Sequence, residues 1–269
     1  MTGTMTETNA NPILAVRDLE KTFGSVVAAR DISVSVPAQQ TVGIIGANGA
    51  GKTTFVNMIT GHLAPSKGSI LFEGRDITGL PSRAITRLGI SRSFQVAQVF
   101  PTMTVIENMR IASAIARGRD SMLGLMSTPL DTPETAREAE SALELFQIAR
   151  YREARAATLP QGVRKLLDIA MAVAGAPRLL LLDEPTSGIS IEEKFGLMEV
   201  VMSALKLRRI TVLFVEHDMD IVGRFADRVL AFYDGTVIAD ETPEAVLANP
   251  QVQTLISGTR AHGAGAAHA

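Results

Sequence analysis

The sequence Gly46-Ala47-Asn48-Gly49-Ala50-Gly51-Lys52-Thr53 gives the firmest indication of how this chain folds. An apolar run at residues 41–45 precedes it, and residues 54–59 follow with the spacing of a helix. A strand, a glycine-rich loop and a helix in this order form a phosphate-binding P-loop, because glycines allow positive φ and close approach of backbone N–H groups to a phosphate. The motif predicts nucleoside triphosphate binding by Gly46, Asn48, Gly49, Ala50, Gly51, Lys52, Thr53 and Thr54.

Two side chains at the end of the loop have distinct predicted roles. Lys52 carries a full positive charge that would reach the β- and γ-phosphates, and the Thr53 hydroxyl is placed for Mg²⁺. The helix that follows adds the partial positive charge of its N-terminus. The alternative is a flexible glycine-rich turn that precedes Lys-Thr by chance. The flanking strand and helix patterns favour the P-loop strongly.

The composition is that of a soluble globular protein, with 269 residues of which 46% are hydrophobic and 20% charged. A net charge of −2 gives no general attraction to nucleic acid. The chain has no cysteine, which excludes disulfides and a thiol nucleophile. No apolar run approaches the ~20 residues of a membrane span, and residues 1–11 lack the pattern of a signal peptide. We expect a soluble intracellular protein that meets a membrane only through partners.

The pattern of the first hundred residues predicts strands around the P-loop. Alternating apolar residues indicate antiparallel strands at 13–16, 26–29 and 32–36, a strand and turn at 68–74, and a strand at 90–95. A short helix is expected at residues 81–88, and the P-loop helix is expected to end at Gly61.

From residue 104 to about residue 175 the sequence shows helical patterns and no convincing strand. Helices are predicted at 105–116 and 133–149. Between them lies an apolar cluster, which belongs either to the core or to a surface that contacts another protein. Its members are Met122, Leu123, Leu125 and Met126.

The last third returns to strands. The run Leu179-Leu180-Leu181-Leu182 has no polar residue, as expected of a parallel strand buried on both faces. Further elements are a helix at 191–207, a buried strand at 210–215, a hairpin of 228–233 with 236–239, and a helix that begins near Thr242.

Carboxylates and a histidine follow the two buried strands. Asp183 stands where a P-loop protein places its metal-ligating acid, and Glu184 stands where a base would polarise the attacking water. Without a P-loop they would be ordinary solvated acids. His217 ends the neighbouring strand and has two interpretations: it contacts the γ-phosphate or the water, or it caps the next helix.

Phe23 lies in the segment that precedes the P-loop, where aromatic residues are few. It could stack on an adenine ring, or it could be a buried phenylalanine in a hairpin.

Taken together, these residues resemble the ATP-binding subunit of an ABC transporter over about residues 13–256. The resemblance implies an α/β fold, a P-loop NTPase (RecA-like) core of ABC type with an antiparallel β subdomain and an inserted α-helical subdomain. It also implies a division of the chain. We expect a disordered tail at 1–11, a cassette at 12–257 and a flexible tail at 258–269. Within the cassette the core spans 12–95 and 175–257, and the helical subdomain spans 96–174.

The resemblance assigns roles to residues that match the family pattern. Phe23 becomes the adenine-stacking aromatic, and Gln95 touches Mg²⁺ and the water and senses the membrane subunit. Asp183 binds the metal with Thr53, Glu184 is the catalytic glutamate, and His217 is the switch histidine. Residues 187–190 form the loop that crosses to a second cassette.

The family signature, Leu-Ser-Gly-Gly-Gln, departs from the family pattern in this chain. It falls on residues 159–163, where only Leu159 and Gly162 match, and Pro160 removes both a hydroxyl and an N–H. Ser190 also replaces a usual aspartate. We expect a working but altered signature that serves the ATP of a partner cassette, with Leu159, Gln161 and Gly162 as contacts and the Gln161 amide in place of the hydroxyl.

The expected function is ATP hydrolysis, with Mg²⁺, by paired cassettes that drive transmembrane permease subunits. The cassette would lie peripherally on the cytoplasmic face of the inner membrane and bind no nucleic acid. Residues 94–108 and 247–252 resemble uptake systems for branched-chain and other hydrophobic amino acids. Two alternatives stay open: a cassette that acts in DNA repair or translation, and a regulatory cassette that binds ATP without turnover. The first usually carries a long coiled-coil insertion or two cassettes, and Glu184 argues against the second.

Overall fold

A computed structural model of the chain describes residues 12–93, 95, 97–117 and 132–256. The two predicted tails, the apolar cluster at residues 122–126 and Phe94 lie outside these described residues. In the described part, no helix is both long enough and apolar enough to cross a bilayer.

The strands in chain order are β1 (Leu14–Phe23), β2 (Val26–Val36), β3 (Thr41–Gly46), β4 (Lys67–Phe72), β5 (Arg75–Asp76), β6 (Ile90–Ser93), β7 (Leu179–Asp183), β8 (Thr211–Val215), β9 (Arg228–Tyr233) and β10 (Thr236–Glu241). The helices are α1 (Lys52–Ile59), α2 (Ser82–Arg87), α3 (Val105–Arg117), α4 (Pro133–Leu145), α5 (Gln161–Val173), α6 (Ile191–Leu207), α7 (Met219–Phe225), α8 (Pro243–Ala248) and α9 (Pro250–Leu255). Short 3₁₀ turns occur at Ala149–Tyr151 and Ala156–Thr158.

The first sheet is antiparallel and has the order β2-β1-β4-β5. The prediction of separate strands at 26–29 and 32–36 was wrong, because β2 runs without a break. Asp31 adopts a φ of 48° and Asp18, on β1, a φ of 47°. Aspartate tolerates this conformation better than most residues, and register shifts between β1 and β2 absorb the irregularity. The polar residues therefore bend the ribbon without ending it.

The second sheet holds the P-loop strand at its centre, in the order β10-β9-β3-β8-β7-β6. The strands from β9 to β6 are parallel, and β10 returns antiparallel to β9. The strand predicted at 90–95 is shorter than expected: β6 ends at Ser93, whose partner is Leu182. Gln95 thus stands beyond the strand. This architecture confirms the predicted fold class.

Helix ends differ from the sequence prediction by a few residues. Helix α6 has the predicted bounds, whereas α1 ends at Ile59 and α4 at Leu145. After α1, the Thr60 hydroxyl donates to the Val56 carbonyl and Gly61 has a φ of 70°. After α4, Gln147 adopts a φ of 57°. Left-handed residues end a helix because they turn the chain out of the helical path.

The β7 leucines divide between two hydrophobic cores. Leu179 and Leu181 belong to the core that also contains residues of β1, β2 and α1. Leu180 and Leu182 belong to the core that contains residues of α5 and α6. Alternate side chains of a strand point to opposite faces, so a strand covered on both faces needs an unbroken apolar run. This packing fixes the strand end from which Asp183 and Glu184 project.

Candidate nucleotide-binding and catalytic site

Glycine is required at two P-loop positions for separate steric reasons. Gly46 has a φ of 152°, and a Cβ there would lie 2.5 Å from the Phe232 carbonyl oxygen. Gly51 has a φ of 99°, and its Cβ would lie 2.7 Å from the Ala28 carbonyl oxygen. Gly49, with a φ of 81°, faces open space. The loop therefore packs tightly against β2 and β9 while Gly49 leaves its outer side accessible.

Lys52 is held inside the curve of the loop. Its Nζ donates to the carbonyl oxygens of Gly46 at 2.6 Å and Ala47 at 3.0 Å, and the residue is buried. Burial lowers the pKa of Lys52, while the negative charges of Glu184 and Asp183 act against this shift. The ammonium is thus already directed at the loop in which the sequence predicts a phosphate.

A cavity of about 150 Å³ joins the P-loop to the ends of β7 and β8. Glu184 and His217 enter it from those strand ends, although neither is near the P-loop in sequence. Because β3, β8 and β7 are adjacent and parallel, their carboxyl ends meet at one edge of the sheet. The cavity is lined by Ala28, Asn48, Gly49, Ala50, Gly51, Lys52, Thr53, Thr54, Glu184, Val215 and His217.

Glu184 contacts two of the other side chains that are predicted to be catalytic, Gln95 and His217. Gln95 Nε2 donates to Glu184 Oε2 at 2.7 Å, and His217 Nε2 lies 3.1 Å from Glu184 Oε1. Each carboxylate oxygen therefore has one partner, which restricts rotation of the group. Glu184 also adopts a φ of 47°, an uncommon conformation for a residue with a long side chain.

The structure excludes one of the two interpretations of His217, the capping of the next helix. The cap of α7 is Asp218, whose carboxylate accepts the N–H groups of Asp220 and Ile221. His217 is exposed, and its ring is directed to Glu184. The capping alternative was therefore wrong, and His217 borders the cavity beside Glu184.

Asp183 has a partner that the sequence did not reveal. The Arg92 guanidinium, from β6, donates to Asp183 Oδ2 at 2.6 Å and to Asn57 Oδ1 at 2.7 Å. Both members of the ion pair are largely buried, with 9% of the Arg92 side chain and 16% of the Asp183 side chain exposed. The available signal was an arginine in the middle of a short predicted strand.

The signature segment lies apart from the P-loop of its own chain. Helix α5 begins at Gln161 directly after Pro160, and the Leu159 side chain is buried in the core. Gln161 Nε2 lies 3.4 Å from the Ser187 carbonyl oxygen, in the loop after β7. Gln161 and Gly188 both border a second cavity of about 500 Å³, together with Gln95. The structure thus brings the signature next to the crossing loop, and not to the phosphate-binding cavity.

Two buried charges on α5 hold the segment around Gln95, and sequence reasoning missed both. Lys165 Nζ donates to the Gln95 carbonyl oxygen at 3.0 Å, and Asp168 Oδ1 accepts the Gln98 N–H at 2.7 Å. Burial lowers the pKa of Lys165 and raises the pKa of Asp168. Their place on the apolar face of an amphipathic helix was the signal that could have found them.

Phe23 is the last residue of β1, and 51% of it is exposed. Its exposure excludes the alternative of a buried hairpin phenylalanine. Lys21 Nζ lies 5.1 Å from the ring centroid. Val26, its strand partner, is also exposed, so an apolar platform stands on the β2 side of the P-loop.

A family model described as ABC transporter matches residues 29–187. The branched-chain amino acid transport ATP-binding protein BraF of Pseudomonas aeruginosa is 35% identical over 246 residues, which cover 90% of this chain and 96% of BraF. The chain belongs to the ABC transporter family. This ABC cassette is also 34% identical to LivG of Escherichia coli, described in the same terms, over 250 residues that cover 90% of the cassette and 96% of LivG.

Solved structures agree with this assignment. An ATP-binding cassette of an ABC transporter in its ADP conformation superposes with a TM-score of 0.79 and 31% identity, over 91% of this cassette and 98% of that chain. A nucleotide-free cassette gives a TM-score of 0.78 and 30% identity. The cassette is therefore an ATP-binding ATPase subunit. These relatives are transport proteins, which favours transport over the alternative of DNA repair or translation.

Proposed function

We propose that this chain hydrolyses ATP at the cavity between its P-loop and Glu184, and that this reaction powers solute import. The observation that carries the proposal is the convergence on Glu184 of Gln95 and His217, next to a P-loop with an inward-facing Lys52. A nucleotide-binding module without turnover would not need a carboxylate so firmly oriented at this place.

In this proposal the residues have the following roles. The P-loop N–H groups and Lys52 bind the phosphates, and exposed Phe23 stacks on the adenine. Glu184 accepts a proton from the attacking water, which is the task of a general base. Gln95 and His217 hold the two oxygens of Glu184 and so fix the direction in which it accepts that proton.

The side-chain oxygens of Thr53, Asp183 and Gln95 fit Mg²⁺, because this ion prefers oxygen ligands and keeps several waters. Thr53 offers an exposed hydroxyl and Asp183 a partly exposed carboxylate. Gln95 uses its amide nitrogen for Glu184, which leaves the amide oxygen for a cation. When bound, Mg²⁺ supplies positive charge that stabilises the phosphates. Among described residues, no group of three or more His, Cys, Asp and Glu could hold a metal ion.

A second cassette completes the site in this proposal. Leu159, Gln161 and Gly162 lie away from the phosphate-binding cavity of their own chain, on the side of the crossing loop. They would serve the ATP of a partner, while the partner's signature serves this P-loop. Permease subunits would hold the pair at the cytoplasmic face of the membrane and contact the proposed helical subdomain, residues 96–174.

We propose branched-chain or related hydrophobic amino acids as the solute. BraF of Pseudomonas aeruginosa and LivG of Archaeoglobus fulgidus are both described by branched-chain amino acid transport, and LivG is 33% identical over 92% of this chain. Recovery of the chain from native membranes with permease subunits would support this. Recovery with DNA or ribosomes and no membrane protein would contradict it.

The hydrolysis step is tested by Glu184→Gln, which keeps the shape of the side chain but cannot accept a proton. Turnover should fall by about 10²–10⁴-fold while ATP binding is kept. The variant should also accumulate as an ATP-bound dimer in size-exclusion chromatography. Exposed Glu244→Gln is the matched control and should behave like the wild type. Near-normal turnover of Glu184→Gln would remove Glu184 from the mechanism.

A further inference from the structure

Glu216 is a buried carboxylate that accepts hydrogen bonds from two segments of the site. The residue is 4% exposed. Its Oε1 accepts both the Thr186 N–H at 2.9 Å and the Thr186 hydroxyl at 2.6 Å. Its Oε2 accepts the His217 N–H at 3.2 Å. Burying a charged carboxylate is costly unless hydrogen-bond donors surround it. The three donors around Glu216 therefore offset the cost of burying this carboxylate.

These contacts close a ring that contains the catalytic pair. Glu184 is two residues before Thr186, and Thr186 is hydrogen-bonded to Glu216. Glu216 directly precedes His217, whose ring returns to Glu184 at 3.1 Å. Any movement of Thr186 away from Glu216 would therefore change the separation of the Glu184 and His217 side chains.

The backbone of Glu184 needs such support. Its φ of 47° is rarely adopted by residues with side chains, and such conformations persist only when surrounding contacts fix them. The Glu184 N–H donates to the Val215 carbonyl oxygen at 3.0 Å, and the Ser187 N–H donates to the Glu184 carbonyl oxygen at 3.1 Å. The Thr186–Glu216 pair is a buried side-chain contact that holds the chain just after this turn.

We propose that Glu216 is a positioning residue, which sets the Glu184–His217 geometry by holding Thr186 and the His217 backbone at once. The proposal rests on the proposed ATPase function and adds a buried residue that does not line the cavity at the P-loop. It requires a carboxylate. A glutamine would present one oxygen and one NH₂ group, and the NH₂ group would face a donor at either Thr186 or His217.

The test compares variants of the full chain at the two ends of the contact. Thr186→Val removes one donor and should lower turnover at saturating ATP about tenfold, with ATP affinity changed by less than about twofold. Thr186→Ser keeps both donors and should stay within about twofold of wild-type turnover. Glu216→Gln should lose at least as much turnover as Thr186→Val.

Thr104→Val is the matched control, because Thr104 makes the same double contact to a carboxylate and lines neither of the two cavities described above. Its N–H and hydroxyl donate to Glu107 Oε2 at 2.7 and 3.0 Å. This variant should keep wild-type turnover. Melting temperatures of all variants separate a general loss of stability from a specific loss of turnover.

A second measurement reports the geometry without activity. The chain has 4 histidines, so the imidazole ¹⁵N signals of the full chain can be assigned to His217 with a His217→Asn variant. The His217 signal should shift in Thr186→Val and Glu216→Gln and stay unchanged in Thr104→Val. If Glu216→Gln does not fold, the Thr186 variants decide the question alone.

The outcomes separate this inference from the proposed function. Unchanged turnover and an unchanged His217 signal in Thr186→Val would overturn the positioning role, even if Glu184→Gln is inactive. Equal losses in Thr186→Ser and Thr186→Val would also overturn it, because serine keeps the hydrogen bonds. Normal turnover of Glu184→Gln would instead overturn the proposed function.

Discussion

The Arg92 guanidinium donates from Nη2 to Asp183 Oδ2 at 2.6 Å and from Nη1 to Asn57 Oδ1 at 2.7 Å. The first contact reaches the end of β7, and the second reaches the helix that follows the P-loop. Arg92 thus connects the phosphate-binding element to the strand that carries both acids. The pair is shielded from solvent, so its electrostatic attraction is weakened little by water or salt.

Arg92→Met should destabilise the fold, because it removes the guanidinium that is bonded to the largely buried Asp183 carboxylate. Breaking a buried ion pair typically costs about 3–5 kcal/mol. Urea unfolding with the wild type as reference measures this loss. Arg117→Met removes an exposed partner of Glu138 and should destabilise the fold much less than Arg92→Met, because solvent screens an exposed ion pair. Equal losses of unfolding free energy in the two variants would show that the Arg92–Asp183 ion pair stabilises the fold no more than an exposed pair does.

Lys52→Ala should weaken ATP binding through loss of a charge-assisted contact to the phosphates. A loss of about 1.5–3 kcal/mol corresponds to roughly ten- to hundredfold in Kd. Titration with a fluorescent ATP analogue measures the Kd of the wild type and of the variant. Lys67→Ala removes an exposed lysine that pairs with Glu20, and it should leave the affinity unchanged. Unaltered affinity and turnover of Lys52→Ala would refute the P-loop assignment.

Asp168 should make stability depend on pH. Burial raises its pKa above the usual value of 3.8, so the folded chain holds this proton to a higher pH than the unfolded chain does. The resulting stability is present below the unfolded pKa and is lost as pH rises through the raised folded pKa, with a slope of at most about 1.4 kcal/mol per pH unit.

The measurement for Asp168 compares unfolding free energies of the wild type and Asp168→Asn between acid and neutral pH. Stability of the wild type relative to the variant should decline with rising pH. Asp76→Asn should show the opposite trend, because hydrogen bonds from Thr78 lower the pKa of exposed Asp76. A flat difference for Asp168→Asn would mean that this carboxyl does not titrate abnormally.

Pro160→Ser should leave turnover of the assembled transporter equal or raise it. Serine restores a hydroxyl and an N–H at the start of α5, and it is a favoured residue at a helix N-cap. Gln161→Ala should lower turnover if its amide replaces the missing hydroxyl at the partner's ATP. Abolished activity in Pro160→Ser together with normal activity in Gln161→Ala would contradict this account of the signature.

Gly188→Ala tests the contact between the signature and the crossing loop. Gly188 has a φ of 74°, and a Cβ there would collide with the Gln161 amide. The left-handed backbone alone costs about 1–2 kcal/mol for alanine. Gly79→Ala has a similar φ of 68° with open space around it, so it measures the backbone cost alone.

Gly188→Ala should lower the free energy of unfolding more than Gly79→Ala does. This additional loss should vanish in the double variant Gly188→Ala/Gln161→Ala. Unfolding free energies of the single and double variants form the cycle. If the double variant shows the same excess loss of stability, the Gln161 amide does not lie against Gly188 and the described packing is wrong.

Local sequence patterns were enough to predict the P-loop, the bounds of α6 and the hairpin of β9 and β10. The reason is that these features depend on neighbouring residues. Positive φ at Gly49 and Gly51 is a property of glycine, and the leucines of β7 need only two covered faces. Element boundaries were less predictable: Gln147 follows α4 in a left-handed conformation that glutamine does not favour, and β2 continues through Asp31, where the sequence predicted a break.

The side-chain connections around the site were decided by the tertiary structure. Arg92 meets Asp183 across 91 residues of sequence, Lys165 meets Gln95 across 70, and Thr186 meets Glu216 across 30. No local pattern encodes such pairs, because they arise only when the order β8-β7-β6 brings the strand ends together and α5 packs beside them. The sequence supplied charged residues whose partners were unknown, and the cost of burying a charge then required that the folded chain place a partner beside each one.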